Sequence, residues 1–501
     1  MKKKIAILLC ACAMLSGCGD TVSFDQATEG NNENTVQAET ADQDQNAENR
    51  DAQNSENQDA QNAENGDVNA ENGDADSEKT DDETDAKKNS EADSEESDET
   101  NDVADRTQFN NYDKAAYFAD AVYQAKKDNT LVSPLSLNLA LGMAAEGADG
   151  ETLREIEKYL STENYGDWAR EYLGYAKGLT KESVKFSPVE DADEGDDKFR
   201  IIAQAEMGDE YTFRYEIADS LWVSKDYRLQ DAFRDAVQKN FDAEAQSVDF
   251  VNEKEKTADQ INQWCKEKTH DLIDQIITPD ALKDDMGAVL VNSLYFESPW
   301  SKKWTVMPGE FTDLDGKTTE QDMLYDGSLH TYYENDKAIA FSKNYYNGFE
   351  FIGILPKETG EFNVRDLDLK SLMDSETTKY VVHAMAPKLN FDCYSEDVAD
   401  ILKDLGVKKA FDKNEGFKRI INDNNLYIDK VLQKCKIELD ENGTKAAAVT
   451  AMTMKVGSAM REPEEIKEVN LDRPFAFMIY DSVNDQILFV GKVTNLNMEV
   501  K

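Results

Sequence analysis

Between Gly19 and Arg106 the chain contains no leucine, isoleucine, methionine or proline, and Phe24 is the only aromatic residue. Such a stretch cannot bury enough apolar surface to offset the entropy of ordering, so the fold must be built from the residues beyond it. It carries 29 Asp and Glu against 5 Lys and Arg, a net of −24, which is half of the −48 of the whole 501-residue chain. Glu-Asn-x-Asp repeats at Glu48, Glu56, Glu64 and Glu71 recur at spacings too short for a solenoid. The stretch reads as a solvated, self-repelling tether, with an r.m.s. span of about 50 Å as a neutral coil and more when charged.

Ahead of the tether, Lys2, Lys3 and Lys4 form a cationic start, Ile5 to Leu15 an apolar run too short to span a bilayer, and Leu15-Ser16-Gly17-Cys18 a small-residue cleavage site ending in cysteine. This resembles a bacterial lipoprotein signal, and the resemblance implies that Cys18 is diacylated and becomes the mature N-terminus. Two acyl chains anchor stably where one is marginal. The expected organisation is therefore a signal over 1–17, a lipidated N-terminus and tether over 18–106, and a folded domain over 107–501. The expected location is a cell membrane, lipid-anchored and facing the extracellular side.

The folded block is large enough to bury a core, and its net charge of about −27, without the three signal lysines, argues against nucleic-acid binding. Helical spacing is read over Tyr112–Lys126, Leu137–Ala145, Glu151–Leu160, Gln230–Phe241 and Ala258–Thr269. Strands are read over Ile217–Val223, Ala288–Phe296, Phe349–Leu355, Tyr380–Leu389, Leu426–Leu439, Phe475–Tyr480 and Ile487–Val493. Helices and strands interleave without a βαβ period, which favours an α+β domain. The histidines His270, His330 and His383 sit in unrelated settings without metal-binding spacing, and no phosphate loop, dinucleotide fingerprint or nucleophile elbow occurs. No metal, cofactor or enzymatic activity is expected. Cys265, Cys393 and Cys435, an odd and scattered trio, are read as buried free thiols.

One segment has a dual character. Ile437 and Leu439 alternate as in a half-buried strand, Gly443 supplies a flexible pivot, and Thr444 to Thr450 holds only small or β-compatible residues apart from Lys445. One face of that run would hold Thr444, Ala446, Ala448 and Thr450, and the other Lys445, Ala447 and Val449. Its only charge falls on the second face, so the run can enter a sheet with its first face on a core and bury no ion.

Several other segments share an order with it: Asn129-Thr-Leu-Val-Ser-Pro-Leu-Ser136, Leu290-Val-Asn-Ser-Leu-Tyr-Phe296 before Trp300, Ile354-Leu-Pro-Lys-Glu358, Ala386-Pro-Lys-Leu389, Asp472-Arg-Pro-Phe475 and Phe489-Val-Gly-Lys-Val493. Over Asn110 to Val500 the chain resembles a serpin, a member of the serine protease inhibitor superfamily. The resemblance implies a large central β-sheet, two smaller sheets, a shell of helices and an exposed reactive-centre loop. It pairs Glu441, before the hinge, with Lys388, puts Trp300 at the top of the sheet where insertion starts, and gives Ser133, Ser136 and Asn292 the mid-sheet positions that must part. Gln433 stands where the family usually has a histidine, and Ala476 where a larger apolar residue is usual.

The implied mechanism is mechanical. A target serine protease, or a cysteine protease, attacks the loop and forms a covalent acyl-enzyme. The freed strand inserts into the sheet and the tethered protease is distorted. The active fold is then a kinetic trap above a more stable inserted state. The usual spacing from Glu441 puts the scissile bond at Gly457–Ser458. Alignment of Pro463-Glu-Glu-Ile466 moves it to Met460–Arg461, the preferred reading. The expected protein is a monomer whose partners are the protease and, through Cys18, the membrane; the alternative is a non-inhibitory binding or scaffold protein of the same fold.

Overall fold

The computed structural model describes residues 109–180, 213–345, 348–395, 398–413, 416–422, 425–444 and 465–496. The signal, Cys18 and the tether lie outside the described residues, as do Lys445, Ala446, Ala447, Ala448, Val449, Thr450 and both candidate scissile bonds.

Three sheets organise the described domain. The central one is six-stranded, in the order β11 (Leu389–Ser395), β12 (Ile428–Leu439), β13 (Gly443–Thr444), β4 (Ala288–Pro299), β2 (Arg214–Ser224) and β3 (Glu244–Val248). A second six-stranded sheet runs β1 (Thr130–Val132), β16 (Gln486–Val493), β15 (Phe475–Asp481), β9 (Phe349–Pro356), β8 (Ala338–Asn344) and β7 (Tyr332–Glu334). A four-stranded sheet runs β14 (Ile466–Asn470), β10 (Val381–Pro387), β6 (Thr318–Leu329) and β5 (Thr305–Thr312). The larger helices are α1 (Asn111–Lys126), α2 (Pro134–Gly147), α3 (Gly150–Leu160), α4 (Tyr165–Thr180), α5 (Asp231–Phe241) and α6 (Lys254–Lys268). This is the α+β architecture of three sheets and helices that the sequence resemblance implies.

The near-continuous apolar run of β4 follows from cover on both faces. Leu290, Leu294 and Phe296 face the main core, which includes α2, while Val289 and Val291 face a second cluster with Ile261, Trp264 and Cys265 of α6. Ser133 starts α2 by accepting from the Ser136 N–H at 3.3 Å, with Pro134 in the first turn, where a missing N–H costs nothing. The helix is buried on most sides, as its Leu137–Ala145 run suggests.

Two local readings change. Tyr380–Leu389 is not one strand: β10 ends at Pro387 and β11 begins at Leu389 in another sheet, with Lys388 at the corner. The cysteines are free and buried, but they are not scattered, because Cys393 and Cys435 stand opposite each other across β11 and β12. Ala476 is buried in β15, between Lys492 and Ile354 of the flanking strands.

Candidate functional site: the hinge and seam of the central sheet

The seam lies between β12 and β4. At its lower end these strands pair directly and in parallel, from Ile428 opposite Ala288 to Gln433 opposite Asn292. At its upper end β13 separates them, with Thr444 opposite Leu439 on one side and Ser298 on the other. The hinge residue Thr444 is therefore already in the sheet. It is buried, and its hydroxyl lies 2.6 Å from that of Tyr345.

Glycine at 443 is required by close approach as much as by flexibility. A Cβ there would stand 2.3 Å from the Ser298 carbonyl oxygen and 2.7 Å from Pro299 Cα, both backbone atoms that cannot swing aside. Gly443→Val should displace the hinge from the sheet top and leave the lower ladder intact. The expected result is faster limited proteolysis after residue 440 with an unchanged far-ultraviolet spectrum.

Asp440 folds the turn before the hinge, accepting from the N–H groups of Asn442 at 2.7 Å and Gly443 at 3.2 Å. Trp300 and Trp304 clamp it. The Trp300 indole donates to the Asp440 carbonyl at 2.8 Å, and the backbone N–H groups of Trp300 and Trp304 donate to Asn442 and Glu441. Trp300 also stacks on Tyr345, ring centroids 4.1 Å apart, so the clamp and the Thr444 contact form one unit. Glu441 pairs with Lys388 at 2.7 Å, as the resemblance implies. Partial burial opposes ionisation of Glu441, but Lys388, its own amide and Lys303 outweigh it, and the carboxyl stays below the ordinary range. Both side chains are about one-third exposed, so the pair orients the turn more than it stabilises the fold.

Halfway down, the expected polar residues meet. Gln433 donates from Nε2 to the Ser133 carbonyl and to Asn292 Oδ1, each at 3.0 Å, and its Oε1 accepts from the Ser133 N–H at 2.9 Å. Asn292 donates from Nδ2 to the Ser136 carbonyl at 2.8 Å. Both serines serve the seam through their backbones. Gln433, at the position where the resemblance implies a histidine, both donates and accepts through its amide.

Asn292 has a further partner that sequence reading missed. Its Nδ2 also donates to Asp219 of β2 at 2.6 Å, and Asp219 stands directly opposite it in the ladder. The carboxyl is 2% exposed. Burial pushes its pKa up to about 7, against the lowering effect of the Asn292 bond. Strand periodicity was a usable signal, because an acid at 219 shares a face with Tyr215, Leu221 and Val223.

Beside the clamp lies a buried ion pair, Lys343 of β8 with Asp326 of β6, and the Lys343 ammonium also sits 4.9 Å from the Trp304 ring centre. Burial lowers the Lys343 pKa. Burial also opposes ionisation of Asp326, but Lys343 and Ser328 overcome it and hold the carboxyl below its ordinary value. His270 and Glu216 pair at 3.0 Å, yet no group of metal ligands is present among the described residues.

The central sheet is thus paired directly below and separated above by Gly443 and Thr444, the first residues of the strand-patterned segment. The model of the family described as serpin (serine protease inhibitor) matches residues 110–496, and the chain belongs to that family. An uncharacterized serpin-like protein of Thermococcus kodakarensis is 30% identical over 378 residues, 74% of this chain and 81% of that protein. A serine protease inhibitor of Cyanea capillata is 26% identical over 396 residues, 76% of this chain and 96% of that protein. Among solved structures, the native thermophilic serpin tengpin superposes with a TM-score of 0.61 at 28% identity, covering 77% of this chain and 94% of its own. Members of this family are protease inhibitors broadly, and proteases are their general targets.

Proposed function

We propose that the chain is a surface-anchored inhibitor that traps serine or cysteine proteases as covalent acyl complexes by inserting its cleaved loop into the central sheet. The observation that carries this reading is the register of β13. Six residues on from Thr444 is Thr450, and six residues back from Ser298 and from Leu439 are Asn292 and Gln433, which already face each other. A strand continued in that register would bring the Thr450 hydroxyl between the two amides it must part. It could donate to Asn292 Oδ1 and accept from Gln433 Nε2, replacing the bond broken. The face carrying Thr444, Ala446, Ala448 and Thr450 would meet the main core, and Lys445 the other side.

The lipoprotein-like start and the acidic tether support anchoring through Cys18 at the outer face of a cell membrane, with the inhibitory domain held away from it as a monomer. Met460–Arg461 is the proposed scissile bond, and Gly457–Ser458 the alternative. Incubation with a panel of trypsin-like, chymotrypsin-like, elastase-like and papain-like proteases should give an SDS-resistant complex with at least one, and mass spectrometry of the released C-terminal peptide identifies the bond. Cleavage by the panel with no complex and no gain in thermal stability would overturn insertion and leave a binding or scaffold protein.

A further inference from the structure

We propose that Asp219 is the positioning residue that sets how readily the central sheet parts, its ionised form loosening the seam through Asn292 and its protonated form leaving the seam at rest. The proposal rests on loop insertion as the mode of action. Asn292 is the last residue of β4 paired directly with β12, and its amide is fully committed: one N–H to Ser136, the other to Asp219, its oxygen to Gln433. Asp219 thus holds from behind the side chain that the entering strand must free from Gln433.

In the closed sheet the carboxyl meets Asn292 and almost no water. An ionised carboxylate has about four acceptor sites, so one short bond leaves it under-solvated. An inserted strand would move β4 and β12 from about 4.8 Å to about twice that separation. While the gap stands open, before the entering strand fills it, water reaches the Asn292 side of the pair, the Asp219 O–H bond breaks, its electron pair stays on the carboxylate, and the proton passes to solvent.

The sign follows from linkage. The carboxyl titrates at about 7 in the closed sheet, against about 3.9 when hydrated. The stabilisation its proton gives the closed state is complete below about 3.9 and is lost as pH rises through about 7. Parting is therefore resisted in acid and favoured near neutrality. Each pK unit relaxed in the parted state changes the equilibrium tenfold.

Other titratable groups on this side of the sheet are Tyr215 on the same strand, Glu146 near the end of α2, Tyr172 and Tyr175 of α4, Asp481 of β15 at the Tyr172 hydroxyl, and the Cys435 thiol of β12. Glu244 of β3 lies opposite Ser220, whose side chain alternates to the other face. Burial raises the three tyrosines and Cys435, which leaves them uncharged near neutrality. It also raises Asp481, a carboxyl that burial moves in the same direction as Asp219, which therefore serves as the control.

The test uses a synthetic peptide of Thr444–Met454 with blocked ends, which carries no group titrating between pH 5 and pH 8. Added to the intact full chain, it reports sheet opening without a protease, by native-gel shift and tryptophan fluorescence. Its insertion rate into the unaltered chain should rise at least about tenfold from pH 5 to pH 8. Asp219→Asn should insert at a pH-independent rate near the acid value of the unaltered chain, and Asp481→Asn should keep the full profile. A flat profile in the unaltered chain, which needs no variant to fold, overturns the proposal, as does a retained profile in Asp219→Asn. Insertion at no pH overturns loop insertion itself and this proposal with it.

Discussion

Thr444→Arg is expected to turn the chain from an inhibitor into a substrate, with cleavage of the loop retained and SDS-resistant complex reduced at least about a hundredfold. Thr444 occupies the top of the seam, buried between Leu439 and Ser298 with its hydroxyl on Tyr345. A guanidinium there would have to leave water with no carboxylate described at that position, at a cost of several kcal/mol, and about 2.7 kcal/mol already gives a hundredfold change. The arginine can instead stay outside the sheet, so folding and cleavage are spared while insertion fails at its first residue. Mass spectrometry and SDS gels after incubation with a protease that complexes the unaltered chain decide it. Full complex yield would show that insertion does not begin at Thr444.

The largest loss of stability is expected from Asp326→Ala, about 3–5 kcal/mol in denaturant unfolding monitored by tryptophan fluorescence. Lys343 would keep its place against Trp304 but lose the carboxylate that makes its burial tolerable. Lys302, well exposed, adds a second positive charge on the same side. Without Asp326 the folded-state pKa of Lys343 falls further below its unfolded value of about 10.4. The deficit is therefore full below that lowered value and shrinks as pH rises toward 10.4, where the unfolded chain also sheds the proton. The double variant Asp326→Leu with Lys343→Met should recover most of the loss. A deficit under 1 kcal/mol in the single variant would mean that water or Trp304 alone supports the ammonium.

Legibility in the sequence tracked burial. β4, β12, β15 and β16 are covered on both faces or alternate cleanly, and their apolar patterns announced them. β5 and β6 lie in the small sheet with many exposed positions, and runs such as Thr-Thr-Glu-Gln-Asp carry no strand-like alternation. α4 includes three glycines, which blurred its helical signal. At the site, Glu441 with Lys388, Trp300, and Ser133 with Gln433 and Asn292 were singled out through the family resemblance, and the structure shows Glu441 paired with Lys388, Trp300 on the turn before the hinge, and Ser133, Gln433 and Asn292 in one hydrogen-bonded group. Asp219 was not, because the alternation of β2 marks only that an acid falls on the buried face and names no partner for it. Its importance arises from a cross-strand register joining residues 73 positions apart, which only the folded sheet displays.

The two-residue strand β13 also fixes a distance of travel. If the proposed insertion continued in its register, position 454 would fall opposite Ala288, the last paired residue of β4, so an inserted loop would reach the far edge of the sheet there whichever bond is cut. Gly457 would then trail that edge by three residues, about 10 Å of extended chain, and Met460 by six, about 20 Å. On the proposed mechanism, a protease held on the shorter leash would be pressed against the base of the domain, whereas one on the longer leash would have slack in which its own active site could recover. The length of β4 thus links the identity of the scissile bond to the firmness of the grip, and lifetimes of the acyl complex should separate the two bonds as cleanly as peptide masses do.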